Sequence, residues 1–257
     1  PTLHGDVLHS RPAVLSYARD GTDNDIVVFY GGNDGTFRAI TGGKANANGG
    51  KELWSFIPSE MFSKLVRLYD NAPEIVTGNS GKNKTYFLDG NVTFYASDAN
   101  SDGRLRSADG DKVYVYATAR RGGRLIYAFD VSDPDNPRLL WKVSNASAGL
   151  AQLGQTWSEA KVTTVMIGTT PTPVLILGAG YDAAADDDAT GATARTMGRG
   201  VYVLNAVTGA VLWSAGSTGM TKTVTGMTHS IPAEIAVIDR DNDGYSDRAY
   251  AVDTGGN

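Results

Sequence analysis

Three of the four tryptophans close the same short pattern, and this repetition limits the fold more than any other feature. The stretches read DGTFRAITGGKANANGGKELWSF, GRLIYAFDVSDPDNPRLLWKV and GRGVYVLNAVTGAVLWSAG. Each is a strand, a polar turn holding Gly or Pro, and a strand that closes on Leu-Trp. A tandem echo of this kind marks one supersecondary unit copied along the chain. Trp54, Trp141 and Trp213 are separated by 87 and 72 residues. That is longer than the roughly 40–50 of an ordinary propeller blade, so the units must carry insertions.

Each unit extends backwards by two more strands. AVLSYA and IVVFYGG precede the first pair, VTFYAS and KVYVYAT the second, EAKVTTVMIG and TPVLILGAG the third. A fourth unit begins with AEIAVID and RAYAVD. Four-stranded antiparallel units in tandem predict an all-β, quinoprotein-like β-propeller with about three and a half blades in this chain. An open solenoid or a sandwich is the alternative. The expected blades cover 9–57, 85–144, 157–215 and, for the start of the fourth, 229–257. The remainder of a ring would lie beyond the chain, which opens on Pro1 without a Met and reads as a piece of something longer.

Composition agrees. Gly is 31 of 257 residues, against an average near 7%, as many tight turns require. Helical periodicity is confined to PSEMFSKLVRLY, where Met61, Leu65 and Leu68 share a face and Ser59 would be the N-cap of a short helix over 59–69. A net charge of −5 advertises no nucleic-acid surface. No apolar run is long enough to span a bilayer. The absence of cysteine excludes disulfides and thiolate metal sites.

Units one and four start alike, with HSRPAVLSYARDGTDND from His9 and HSIPAEIAVIDRDNDG from His229. A place in a repeated strand lead-in makes structural hydrogen bonding, not catalysis, the expected role of His9 and His229. The three scattered histidines carry no triad spacing.

The chemistry lies in the acidic loops. In DRDNDGYSD, Asp239, Asp241, Asp243 and Asp247 hold positions one, three, five and nine, with Gly244 at six. Calcium takes six to eight oxygens, and an EF-hand loop supplies them at alternate positions around a Gly at six and a carbonyl at seven, here that of Tyr245. Neither flank is helical, so this is no EF-hand proper. Magnesium demands stricter octahedral geometry, and zinc would want His or Cys. In DANSDGRLRSAD, Asp98, Asn100, Asp102, Gly103, Leu105 and Asp109 fit positions one, three, five, six, eight and twelve, with the Arg104 carbonyl at seven. Asp at twelve reaches bidentate contact less easily than Glu, and two arginines partly neutralise this loop. It is either a second calcium site or a metal-free hairpin insert. DGTDND, Asp20 to Asp25, reads as a plain turn, and DAAADDDATG, Asp182 to Gly191, as a mobile solvated loop. The three better acidic loops all join the first and second strands of their units, so calcium would stud one face.

Taken in order, GDVLHSRP, YGGNDGTFRAI, ELWSFIP, YFLDG, RRGGRLIYAFDVSDP, LLWKV, LGQTWSEAKV, LILGAGYD, GRGVYVLNAVTGAVLW and DRDNDGYSDRAYAVDTGGN resemble the C-terminal propeller region of the PilY/PilC type IV pilus biogenesis factors. The resemblance implies an exported, surface-exposed, non-enzymatic protein at the pilus tip. Its partners would be the minor pilins and tip complex, and a host-cell or abiotic surface. It implies roles in the balance of pilus extension and retraction, in adhesion and in surface sensing, governed by calcium held by Asp239, Asp241, Asp243, Asp247 and the Tyr245 carbonyl. The Asp98–Asp109 loop departs from the family's pattern, and the Arg-Gly-Asp motif of some relatives does not occur, so integrin binding does not carry over. Two alternatives remain. One is a calcium-stabilised propeller that binds carbohydrate or protein unconnected with pili. The other is a quinoprotein dehydrogenase, which the YVLNAVTGAVLW units resemble but which often uses a vicinal cysteine pair that this chain lacks.

Overall fold

The structure is a computed structural model that describes residues 4–44, 47–72, 74, 84–187, 190 and 195–256. The first sheet is β1 (Ala13–Ser16), β2 (Ile26–Gly31), β3 (Phe37–Thr41) and β4 (Glu52–Phe56), hydrogen-bonded in chain order. The second is β5 (Val92–Ser97), β6 (Lys112–Thr118), β7 (Leu125–Asp130) and β8 (Arg138–Ser144), in the same order. The third is β9 (Lys161–Ile167), β10 (Thr170–Gly178), β11 (Gly200–Asn205) and β12 (Val211–Gly216), with a two-residue parallel strand β13 (Lys222–Thr223) beside β12. The pair β14 (Ala236–Ile238) and β15 (Arg248–Tyr250) begins a fourth. These are three four-stranded antiparallel blades and half of another.

The recurrent Leu-Trp has a structural cause. Trp54, Trp141 and Trp213 pair with Ala39, Ala128 and Val203 on the third strand of their blades. The register slips immediately beyond each of these pairs, so that Leu53, Leu140 and Leu212 have no opposite number. Each is the extra residue of a β-bulge, which bends the outer strand and increases its twist. The repeat thus encodes a corner as well as an apolar anchor.

Successive blades pack face to face. Phe29, Phe37, Val115 and Phe129 lie in the core between blades one and two, with Phe37 stacked on Phe129 at 5.1 Å between ring centres. Tyr116, Trp141, Leu175, Tyr202 and Leu204 fill the seam between blades two and three. A smaller cluster, Val174, Ile176, Ile231 and Ile235, lies under the half-blade. Blade two is covered on both sides, and β6 is accordingly buried at every position but its first. The blade lead-ins converge: the Arg11 guanidinium sits 3.0 Å from Glu159 and 3.3 Å from Glu234, joining the approaches to β1, β9 and β14.

The segment after β4 is a 3-10 turn (Ser59–Met61) running into α1 (Phe62–Asp70). Ser59 does not cap it. The Ser59 hydroxyl donates to Glu60 at 3.3 Å, and neither the turn nor α1 has a side-chain cap. Met61 is buried and Leu65 packs on the first core, whereas Leu68, expected on the same face, is exposed. Among the described residues no helix is long and apolar enough to cross a membrane.

His9 and His229 are where the repeat predicts, with different partners. His9 gives its backbone N–H and Nδ1 to Asp89, which is fully buried, at 3.2 and 2.6 Å. Among the described residues His229 Nδ1 meets only the neighbouring Thr228 hydroxyl, at 3.1 Å.

Candidate metal centre

The nine-residue loop joins β14 to β15, and its two ends are fixed by the β-ladder and by the bond from the Asp247 N–H to the Ile238 carbonyl, 3.0 Å. Inside it, Asp239 accepts the N–H groups of Asn242 at 2.7 Å and Gly244 at 2.9 Å. Asp243 accepts the Tyr245 N–H at 2.8 Å, and Asp247 the Arg240 N–H at 2.8 Å. Asn242 and Gly244 are left-handed, with φ of 60° and 92°, and Gly at six is what makes the second of these turns cheap. Carboxylate oxygens of Asp239, Asp241 and Asp247 lie within 4.8 Å of one another. Asp243 is outside that group. The loop is exposed, and Ser246 ties it to blade three: its N–H donates to the Thr164 carbonyl at 2.9 Å, and its hydroxyl meets that of Thr163 at 2.6 Å.

The loop between β5 and β6 repeats this turn. Gly103 donates to Asp98 at 2.8 Å as Gly244 does to Asp239, and Arg104 donates to Asp102 at 2.9 Å as Tyr245 does to Asp243. Ser101 and Gly103 are left-handed, at φ 57° and 77°. Asn100 caps the Asp102 N–H at 3.0 Å. The counterpart of Asp247 is Asp111: it accepts the Ala99 N–H at 2.8 Å, as Asp247 accepts that of Arg240, and also the Arg106 N–H at 2.8 Å. Asp109 is drawn aside by the 3-10 turn Ser107–Asp109 and pairs with the Arg106 Nε at 2.9 Å. Spacing counted from an EF-hand loop overlooked Asp111. A signal was present, since Asp25, Asp111 and Asp247 each stand directly before the second strand of their blade. In blade one, Asp25 likewise accepts the Arg19 N–H, at 2.9 Å.

The three loops differ in what neutralises them. In blade one the Arg19 guanidinium grips Asp25 through two bonds of 2.8 Å and reaches Asp135 at 2.8 Å, and the Arg19 bond holds the Asp25 carboxyl below its usual range. In blade two Arg106 binds Asp102 at 2.7 Å as well as Asp109, and the Asp102 carboxyl is lowered by the Arg104 N–H and then by Arg106. One oxygen of Asp98 is buried without a hydrogen-bond partner. In the blade-four loop, no lysine or arginine of the described residues pairs with Asp239, Asp241, Asp243 or Asp247. Carboxylates gathered this closely repel unless a cation sits among them. The oxygen-only donor set suits a hard divalent ion such as calcium.

The run Asp182 to Gly191 is more ordered at its start than a solvated loop. Asp182 is buried and accepts the N–H groups of Ala184, Thr196 and Met197, and Asp186 pairs with Arg121 at 2.7 Å. Asp188 lies outside the described residues.

A family model described as the PilY1 beta-propeller domain matches residues 12–257. A type IV pilus biogenesis factor PilY1 homolog of Xylella fastidiosa is 31% identical over 218 residues, 82% of this chain and 16% of that protein. The type IV pilus biogenesis factor PilY1 of Pseudomonas aeruginosa strain UCBPP-PA14 is 27% identical over 275 residues, 98% of this chain and 20% of that protein. The crystal structure of the Pseudomonas aeruginosa PilY1 C-terminal domain superposes with a TM-score of 0.56 at 22% identity, covering 92% of this chain and 38% of that one. The chain therefore spans about a fifth or less of the curated relatives. It belongs to the PilY1 β-propeller domain family, and its fold is part of such a propeller.

Proposed function

We propose that this chain is the propeller of an exported, non-enzymatic type IV pilus biogenesis factor, and that it binds calcium in the Asp239–Asp247 loop to set the balance of pilus extension and retraction. The family supports a pilus role; minor pilins and the tip complex as partners, and a place at the pilus tip outside the cell, are the finer part of the proposal. Adhesion to host or abiotic surfaces and surface sensing belong to the same reading. The observation that carries the calcium assignment is the contrast between equivalent loops: guanidinium groups neutralise those of blades one and two, and among the described residues no side-chain cation neutralises the Asp239–Asp247 loop.

Asp239, Asp241 and Asp247 would hold the ion, joined by Asp243 and the Tyr245 carbonyl as the loop tightens. The ion would offset their mutual repulsion and stiffen the connection that Ser246 pins to blade three. In the Asp98–Asp109 loop, Asp98, Asn100, Asp102, the Arg104 carbonyl and Asp109 form the second candidate site. Calcium must compete there with Arg106, so its affinity is the lower of the two. Calorimetric titration of the chain with calcium, beside the Asp241→Ala, Asp243→Ala double variant, tests the assignment. The tighter ion should vanish in the variant, and undiminished tight binding refutes the site.

A further inference from the structure

The face opposite the acidic loops carries a cluster that the proposed function does not use. It is built by the β6–β7 loop and by the segments leading into β5 and β9. Arg120, in the β6–β7 loop, has a φ of 49°, a left-handed conformation that a non-glycine residue enters only at a cost. A backbone bond to the Thr156 carbonyl, 3.1 Å, holds it there. Its guanidinium carbon lies 4.2 Å from the ring centre of Trp157. Trp157 is itself fixed, 4.4 Å from the Tyr181 ring and donating its indole N–H to Gln155 at 3.1 Å.

The neighbouring arginine shows what is missing. Arg121 also stands by Trp157, at 5.0 Å, but both of its terminal nitrogens are bound to Asp186, at 2.7 and 3.1 Å. Arg120 pairs with no carboxylate among the described residues, and its Nε is buried without a hydrogen-bond partner. Asp89 acts on it through space, yet Asp89 already accepts bonds from His9 and from Asn33, the latter at 3.0 Å. Burial pushes the guanidinium below its usual pKa, the sign of a charge that lacks a close partner.

We propose that Arg120 anchors an anion site on this face, its guanidinium held flat by Trp157 and its terminal NH2 groups presented to a carboxylate. A planar fork whose orientation is already fixed loses little freedom on binding a carboxylate through two parallel bonds. Arg121 is neutralised by Asp186, and Asp89 partly offsets Arg120 through space without binding it, so the site offers a single guanidinium with no direct counterion and less than one net positive charge. That favours a planar monoanion over a phosphate dianion. The carboxylate belongs either to a small molecule or to an acidic side chain of another protein.

The test is a two-dimensional NMR titration of the 257-residue chain, read at the Trp157 indole N–H and the Arg120 Nε–H. The probes are acetate, acetamide as the uncharged control, and an acetylated, amidated Ala-Glu-Ala tripeptide. Acetate should shift both signals and saturate, and acetamide should leave them in place. Tripeptide binding at least as tight as that of acetate identifies a protein carboxylate; acetate binding with the tripeptide excluded identifies a small ligand. Arg120→Gln should weaken binding by about tenfold or more, and Arg120→Lys, which keeps the charge and loses the fork, by several-fold. Unmoved indole signals of Trp54 and Trp141 certify that the variants are folded. Equal responses to acetate and acetamide, full binding in folded Arg120→Gln, or no response to acetate and tripeptide alike would overturn the proposal.

Discussion

The indole N–H of Trp141 in blade two donates to the carbonyl of Ala206 in blade three, at 3.0 Å. Trp54 makes the same bond one blade earlier, to the Pro134 carbonyl at 2.9 Å. The bulged Leu-Trp corner is therefore also a latch on the next blade, in each case at the turn between that blade's third and fourth strands. Trp213 stands at the third copy of the corner, is 43% exposed, and has no such acceptor among the described residues. Phe in place of Trp keeps much of the apolar contact and removes the donor. Trp141→Phe should cost about 1–2 kcal/mol in urea unfolding, and Trp213→Phe less than about 0.5 kcal/mol. Equal costs would show that the latch contributes nothing beyond ring packing.

Asp111 is buried and satisfies two backbone N–H groups of the Asp98–Asp109 loop. Alanine there strands both donors, at an expected cost of about 2–4 kcal/mol. Asp109→Ala, which loses only a half-exposed ion pair with Arg106, should cost less than about 1 kcal/mol. The two denaturation midpoints, measured side by side, decide which aspartate closes the loop.

How far these roles were legible can be judged at the same residues. The blades could be read because strand alternation and the Leu-Trp echo are local and repeated. The turn of the nine-residue loop could be read because its spacing is self-contained, but the spacing joined Asp243 to Asp239, Asp241 and Asp247, and the fold gathers only the other three. Asp111 was missed because a calcium loop was counted forward from its first ligand, whereas the chain closes the loop from its far end, at the residue entering β6. Arg106 and Arg19 could be seen as charges in the sequence, but only folding shows that they sit among the carboxylates. The Arg120–Trp157 stack joins separate loops and leaves no local pattern. Ser59 looked like a helix cap because Ser is a good one; the chain enters the helix through a 3-10 turn, and the hydroxyl turns to Glu60 instead.

Glu60 links the helix lead-in to blade two, accepting hydrogen bonds from Lys142 and the Tyr127 hydroxyl. Partial burial opposes its ionisation, but the bonds from Lys142 and Tyr127 prevail and pull the carboxyl down to about 2. A depressed carboxyl stabilises the fold fully above its ordinary value of 4.5, and loses that contribution as pH falls towards about 2. The group is 39% exposed, so screening holds the effect to about 1 kcal/mol. Glu60→Gln should flatten the fall in urea midpoint across this window and leave the midpoint at neutral pH lower by a similar amount. A Gln variant with the acid dependence of the parent would remove Glu60 from the account.

Calcium in the Asp239–Asp247 loop should raise the melting temperature, because the ion binds the folded loop and not the unfolded chain. At calcium a hundred times the dissociation constant the stabilisation is roughly 2.7 kcal/mol, and chelator should abolish it. Ser246→Ala removes the hydroxyl contact to Thr163 and leaves every carboxylate in place. It should lower the calcium-dependent part of the stability less than Asp241→Ala does. A parent chain whose melt is the same in calcium and in chelator would show that the loop stiffens nothing.

Arg106 offers the sharpest test of charge substitution between equivalent loops. In the blade-two loop its guanidinium binds Asp102 at 2.7 Å and Asp109 at 2.9 Å, while one oxygen of Asp98 stays buried and unpartnered. Gln at this position removes the charge and keeps most of the length. Without a cation the variant should be less stable than the parent by about 1 kcal/mol, because Asp102 and Asp109 then lose the counterion they share. With calcium the sign should reverse: the loop, already bent through Ser101 and Gly103 as its counterpart is through Asn242 and Gly244, should take the ion more tightly than the parent does. Calorimetry would then show the weaker site strengthened in Arg106→Gln and the tighter site unchanged. If the variant loses stability and calcium does not restore it, the carboxylates of this loop serve the hairpin alone, and the resemblance between the two loops ends at the shape of the turn.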